Sequence, residues 1–78
     1  SPQDAFYAEK ESLPLMETAG RICSEFVMCY PPGIPILAPG EEITEDILHY
    51  IVYAKEKGCS MTGPEDAAIE RLNVLKGV

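Results

Sequence analysis

Tyr30-Pro31-Pro32-Gly33-Ile34-Pro35-Ile36-Leu37-Ala38-Pro39-Gly40 occupies the centre of the chain and holds four of its seven prolines. Pro32-Gly33 and Pro39-Gly40 each place Pro and Gly where a type II turn wants them, Pro fixing φ and Gly accepting φ > 0. Tyr30 and Ile34 precede prolines and are pushed towards extended conformations. The stretch therefore reads as a stiff, apolar, turn–extended–turn loop. Pro31 and Pro35 cannot donate to a ladder, so any strand here belongs at a sheet edge or is very short.

A helix follows on the C-terminal side. Thr44 is the N-cap, Glu45 and Asp46 lie in the first turn where the helix dipole favours anions, and Gly58 closes the element. Lys55 and Lys57 fall in the last turn, which favours cations. Ile47, Leu48, Ile51, Val52 and Ala54 form the apolar side, and His49, opposite Ile51, reads as solvated. Beyond Gly58, Cys59-Ser60-Met61-Thr62 reads as a short strand that Gly63-Pro64 ends. Glu65 to Ile69 reads as a brief helical turn, and Arg71 to Leu75 alternates as a last strand.

On the N-terminal side, Leu15, Met16, Ala19, Ile22, Cys23 and Phe26 recur at spacings of three and four. That pattern predicts a second amphipathic helix, with Ser12 as N-cap and Pro14 in its first turn. Glu17, Thr18, Arg21, Ser24 and Glu25 take its polar face, while Met16 and Phe26 fall in the core. Gly20 weakens such a helix by roughly 1 kcal/mol relative to Ala. Ala5-Phe6-Tyr7-Ala8 reads as a short strand. The whole predicts one small α+β domain over residues 1–78, with two main helices, a few short strands and a proline-rich central loop.

Seventy-eight residues bury only roughly 60% of their unfolded surface, so the stability margin is thin. Hydrophobic residues make up 46% and charged residues 24%, an ordinary globular composition. Six Lys+Arg against thirteen Asp+Glu give a net charge of −7. That balance argues against nucleic acid and against anionic membrane surfaces, both of which call for basic side chains. No apolar run approaches the ~20 residues of a membrane span. Ser1 stands where no initiator Met or basic and apolar leader is seen, so a piece cut from a longer chain is expected.

Cys23, Cys29 and Cys59 are odd in number, which fits free thiols in a reducing cytoplasm better than a stapled secreted domain. The three with His49 make a paper zinc site, but their nearest spacing is Cys-x5-Cys and the close ligand pairs of structural zinc are missing. Nothing local activates a Cys59–His49 nucleophile pair. Glu41, Glu42, Glu45 and Asp46 cluster around a helix start, where capping and dipole compensation explain them without acid/base chemistry. No phosphate-cradling glycine loop occurs. The residues alone give no catalytic, cofactor-binding or metal-binding site.

Glu25-Phe26-Val27, the run Tyr30-Pro31-Pro32-Gly33-Ile34-Pro35 and Pro39-Gly40-Glu41 closely resemble the C-terminal domain of bacterial ornithine/lysine/arginine decarboxylases. Ser1-Pro2, Ala5-Phe6-Tyr7-Ala8, Pro14-Leu15, Gly20-Arg21-Ile22 and Gly63-Pro64-Glu65-Asp66 resemble the same domain in the same order. The likeness covers essentially the whole chain. Cys29 departs from it, standing where relatives often carry another small or apolar residue or Pro. The resemblance implies a longer, cytoplasmic, homo-oligomeric parent enzyme of the aspartate-aminotransferase fold type. Such a parent binds pyridoxal phosphate through a lysine that follows a histidine. It turns arginine, lysine or ornithine into agmatine, cadaverine or putrescine plus CO2, in polyamine biosynthesis. His49 is followed by Tyr50, and none of Lys10, Lys55, Lys57 and Lys76 follows a histidine. This segment is therefore expected to be non-catalytic by itself and to pack on the parent's catalytic domain near the active-site approach.

In that role Tyr30, Pro31, Pro32, Gly33, Ile34 and Pro35 are expected to form the packing loop. Glu41, Glu42, Glu45 and Asp46 are expected to steer a cationic substrate. Two other readings stand beside this one: a free-standing acidic interaction or regulatory module, and a metal-binding mini-domain.

Overall fold

The computed structural model describes residues 9–30 and 33–77. Its helix α1 spans Glu45–Glu56, and the Oγ1 of Thr44 accepts from the Ile47 N–H at 3.1 Å, as the sequence requires of an N-cap. Leu48, Ile51 and Ala54 are buried on the inward face, Ile47 and Val52 are half-buried, and His49 is exposed. Gly58, with φ +75°, follows the helix in the left-handed conformation that ends many helices.

Five strands accompany this helix among the described residues: β1 (Lys10–Pro14), β2 (Val27–Tyr30), β3 (Ile34–Leu37), β4 (Ser60–Thr62) and β5 (Arg71–Leu75). β1 pairs antiparallel with β5, Lys10 opposite Leu75 and Pro14 opposite Arg71. The second sheet is antiparallel in the order β3-β2-β4, with an irregularity between Val27 and Met28. Pro35 thus falls on an edge strand, the one place in a sheet where its missing donor is tolerated. Two isolated bridges, Ile22 to Glu42 and Cys23 to Val74, pair the segment before β2 with the segment before α1 and with β5. The core forms between the sheets and α1, from Leu15, Cys23, Val27, Leu37, Ile43, Leu48, Ile51, Ile69, Leu72 and Val74. The architecture is mixed α+β.

The expected first helix does not form. Ser12 and Pro14 lie in β1, and only Leu15–Glu17 makes a 3₁₀ turn. Gly20 has φ +82°, which breaks a right-handed helix, and its N–H donates to the Ile43 carbonyl at 2.8 Å. Ile22 and Cys23 then form bridges with Glu42 and with Val74 of β5. Met16 and Phe26, expected in the core, are 63% and 57% exposed, whereas Thr18, expected on the polar face, is fully buried. Thr18 satisfies itself by donating its hydroxyl to the Leu15 carbonyl at 2.6 Å. Long-range pairing has overridden a periodicity that Gly20 already weakened.

The central stretch is likewise only partly a loop, because Ile34–Leu37 is β3. Pro31 and Pro32 lie outside the described residues, as does the expected strand Ala5–Ala8. The second Pro-Gly turn forms as read: Gly40 has φ +94° and the Glu41 N–H donates to the Ala38 carbonyl at 3.1 Å. Residues 65–69 form bends and turns rather than a helical turn. The helix capping and the last two strands otherwise fall where the sequence places them.

Candidate functional site

Two surface grooves flank the β2 region. The first, of about 440 Å³, lies between β3 and the first turns of α1 and is lined by Ile34, Pro35, Ile36, Asp46, Ile47 and Tyr50. Its walls are almost wholly apolar. Ile34 and Tyr50 are exposed although both are large and apolar in character, and Tyr30 is exposed at the end of β2. Gly33, at φ +88°, brings its backbone under the Tyr30 ring: a Cβ there would lie 3.1 Å from a ring carbon. Of the expected packing loop, Tyr30, Gly33, Ile34 and Pro35 therefore sit together at one end of the β2–β3 hairpin, with Ile34 and Pro35 in the groove wall.

Glu41, Glu42, Glu45 and Asp46 are all exposed around the start of α1. Asp46 alone among them reaches the groove. The main chain of Glu41 and Glu42 has structural work of its own, since the Glu41 carbonyl accepts from the Cys23 N–H at 2.8 Å and Glu42 bridges Ile22.

The second groove, of about 560 Å³, is bordered by Ser24, Glu25, Phe26, Gly63 and Glu65. Here the Glu25 carboxylate accepts from the Glu65 N–H and from the Asn73 N–H, both at 2.7 Å. One side chain thereby holds the 63–66 turn and β5 against the entry to β2. Gly63, at φ +114°, passes so close to Phe26 that an added Cβ would lie 2.2 Å from its carbonyl oxygen. Sequence reading placed Glu25 on a helix surface and missed this junction, because its partners lie forty and forty-eight residues away.

Asp66 is the second residue missed. Its carboxylate accepts from the N–H groups of Glu70 at 2.9 Å, Arg71 at 3.0 Å and Ala68 at 3.2 Å. These bonds, that from Glu70 foremost, hold the carboxyl below the usual carboxylate range. They also fix a turn that forces buried Ile69 to φ +51°, a costly conformation for a β-branched residue. The Ile69 carbonyl accepts from Lys55 Nζ at 3.0 Å, so α1 helps hold that turn. An aspartate in a Gly-Pro-Glu-Asp run was the available signal, since Asp readily bonds the backbone just ahead of it.

Burial pushes the Cys23 thiol up, and burial followed by a hydrogen bond with Cys59 does the same to Cys29. His49 is exposed on α1, and among the described residues no three His, Cys, Asp or Glu side chains gather as a metal ligand set. No helix of the described residues is long and apolar enough to cross a membrane. Lys55 is engaged with Ile69, and the Lys57 ammonium lies 5.5 Å from the centre of the Tyr53 ring.

Among the described residues, two small antiparallel sheets and one α-helix make a small mixed α+β domain. Residues 1–67 match the family model described as the Orn/Lys/Arg decarboxylase C-terminal domain. The chain belongs to that family. It is 54% identical over 97% of its length to an arginine decarboxylase of Bacillus anthracis, of which it covers 15%. It is 51% identical, again over 97%, to an arginine decarboxylase of Bacillus subtilis (strain 168), of which it covers 16%. The inducible lysine decarboxylase of Escherichia coli (strain K12) is 36% identical over 83% of the chain, which covers 10% of that enzyme. The structure of the E. coli constitutive lysine decarboxylase superposes on 95% of this chain with a TM-score of 0.72 at 27% identity, and the chain covers 12% of it. The chain thus spans about a sixth, or less, of the decarboxylases it matches.

Proposed function

We propose that residues 1–78 are one domain of a longer, cytoplasmic decarboxylase of basic amino acids and pack on its catalytic domain beside the active-site approach. The observation that carries this reading is the likeness to arginine decarboxylases, which runs over 97% of this chain and only 15–16% of theirs. Arginine is accordingly the substrate we assign to the parent, with agmatine and CO2 as products. The parent enzyme is a homo-oligomer that uses pyridoxal phosphate, which supplies the electron sink for loss of the α-carboxylate. The residues of this chain do not fit that group: no lysine follows a histidine, and Lys55 is committed to the Ile69 carbonyl. The cofactor chemistry belongs to the rest of the parent.

The apolar groove between β3 and α1 supports the packing role. Ile34, Ile36, Ile47 and Tyr50 line it, and an apolar side chain of that size contributes roughly 1.5–3 kcal/mol when it is covered. Asp46 lines it, and Glu41, Glu42 and Glu45 are exposed around the same helix start, on a domain of net charge −7. Beside a cleft, such charge raises the local concentration of a cationic substrate.

The test is Ile34→Asp in the full-length parent, with Glu56→Gln, exposed near the far end of α1, as control. The packing role predicts a lower melting temperature and a lower kcat/KM for arginine in Ile34→Asp only. Values equal to the control in both measurements refute it.

A further inference from the structure

Cys29 and Cys59 lie thirty residues apart in the chain, yet the fold brings them together. In the antiparallel β2–β4 ladder Cys29 stands opposite Met61 and Tyr30 opposite Ser60. Cys59 immediately precedes β4, two residues before Met61, so it is the diagonal neighbour of Cys29 across the ladder. Side chains two apart share a face, and diagonal pairs are within reach of each other. The Cys59 thiol is near enough to be, after burial, one of the causes that raise the Cys29 thiol. Cys29 is buried while Cys59 is exposed, so an oxidant reaches the pair from one side only.

We propose that Cys29 and Cys59 form a reversible disulfide that clasps the start of β4 to β2 under oxidising conditions. The co-reactant is a small disulfide such as oxidised glutathione. The exposed Cys59 thiolate attacks one glutathione sulfur, breaking the S–S bond, and the first glutathione leaves as a thiolate that takes a proton. Cys29 sulfur then attacks Cys59 sulfur, and the second glutathione departs with the proton that Cys29 gives up. Two protein thiols are oxidised to one disulfide, and one glutathione disulfide is reduced to two thiols.

The order of attack follows from the surroundings. Burial and the neighbouring Cys59 sulfur keep the Cys29 thiol protonated, so it is the second and not the first nucleophile. A disulfide needs Cβ atoms about 3.5–4.5 Å apart, closer than an unstrained diagonal pair. Cys59 lies outside the ladder and can approach without breaking a strand pairing. The residual strain makes the bond easy to reduce, as suits a reversible clasp rather than a permanent staple.

This proposal is independent of the parent enzyme's activity. Its test is incubation of the folded chain with oxidised glutathione, followed by acid quench, alkylation in denaturant and mass spectrometry. The expected result is a chain that takes one alkyl label instead of three, its thiol count having fallen from three to one, with all three labels restored by dithiothreitol. Cleavage after Glu, Lys and Arg places Cys23, Cys29 and Cys59 in the separate peptides 22–25, 26–41 and 58–65. A bond joining 26–41 to 58–65 is expected, and Cys59→Ser abolishes it. Glutathione retained on Cys59, a dimer joined through Cys59, any linkage to Cys23, or three unreacted thiols each overturn the proposal.

Discussion

Gly63→Ala is the substitution whose cost the structure specifies most sharply. At φ +114° Gly63 occupies backbone space that L residues rarely enter, and holding a non-glycine residue in such a region costs about 1–3 kcal/mol. The new Cβ would also lie 2.2 Å from the Phe26 carbonyl oxygen and 2.9 Å from its carbonyl carbon. Main chain cannot rotate away as a side chain can, so the 63–65 turn must move off β2. Overpacking of this kind adds about 1–3 kcal/mol. Moving the turn also lengthens the 2.7 Å bond from the Glu65 N–H to Glu25. The total is about 3–5 kcal/mol, a large share of the stability available to so small a domain.

Gly58→Ala is the matched control. Gly58 has φ +75° but nothing within 4 Å of an added Cβ, so its cost is the left-handed conformation alone, about 1 kcal/mol. Urea unfolding followed by circular dichroism measures both. A Gly63→Ala penalty within about 0.5 kcal/mol of the Gly58→Ala penalty would refute the close approach at Phe26.

Three other outcomes are expected. Glu25→Ala removes the acceptor of two short backbone bonds and should cost about 2 kcal/mol by urea unfolding, with Glu25→Gln near half of that. Asp66 has a folded pKa below its unfolded value, so its contribution is present above the unfolded value and is lost as pH falls through the folded one. Melting temperature should therefore drop as pH is lowered below about 4, and Asp66→Asn should lower it at pH 7 while flattening that acid limb. In the parent, neutralising Glu41, Glu42, Glu45 and Asp46 together should raise KM for arginine at low salt and flatten its salt dependence. An unchanged KM at low salt removes the steering role.

The parts of the fold legible in the sequence are those set by local rules. Thr44 caps α1 through its own hydroxyl, and Gly40 and Gly58 take the positive φ that only glycine adopts cheaply. Arg71–Leu75 alternates because one face of β5 is buried. The stretch from Ser12 to Phe26 misled for a physical reason. Its apolar residues match a helical period, yet they are divided among a strand, a 3₁₀ turn and two bridges whose partners lie at residues 42 and 74. Pairing energy from those distant partners exceeds the weak propensity of a glycine-containing helix, and no local pattern reports it.

The site divides along the same line. Ile34 and Pro35 and the acidic residues Glu41, Glu42, Glu45 and Asp46 lie within thirteen residues of one another, and their exposure is readable from composition and turns. Glu25, by contrast, joins residues forty or more positions away, and its function as a clamp exists only in three dimensions. Ile69 is similar, since its positive φ is held by a turn that the backbone bonds to Asp66 and the Lys55 bond to its carbonyl fix in three dimensions.

Deletion of residues 1–78 from the full-length parent addresses the central claim most directly. Decarboxylation of arginine, lysine and ornithine would be measured with and without the segment, and pyridoxal phosphate absorbance followed in parallel. An accessory domain beside the active-site approach predicts that cofactor absorbance survives while kcat/KM for arginine falls. Unchanged kcat/KM and unchanged absorbance would contradict the account.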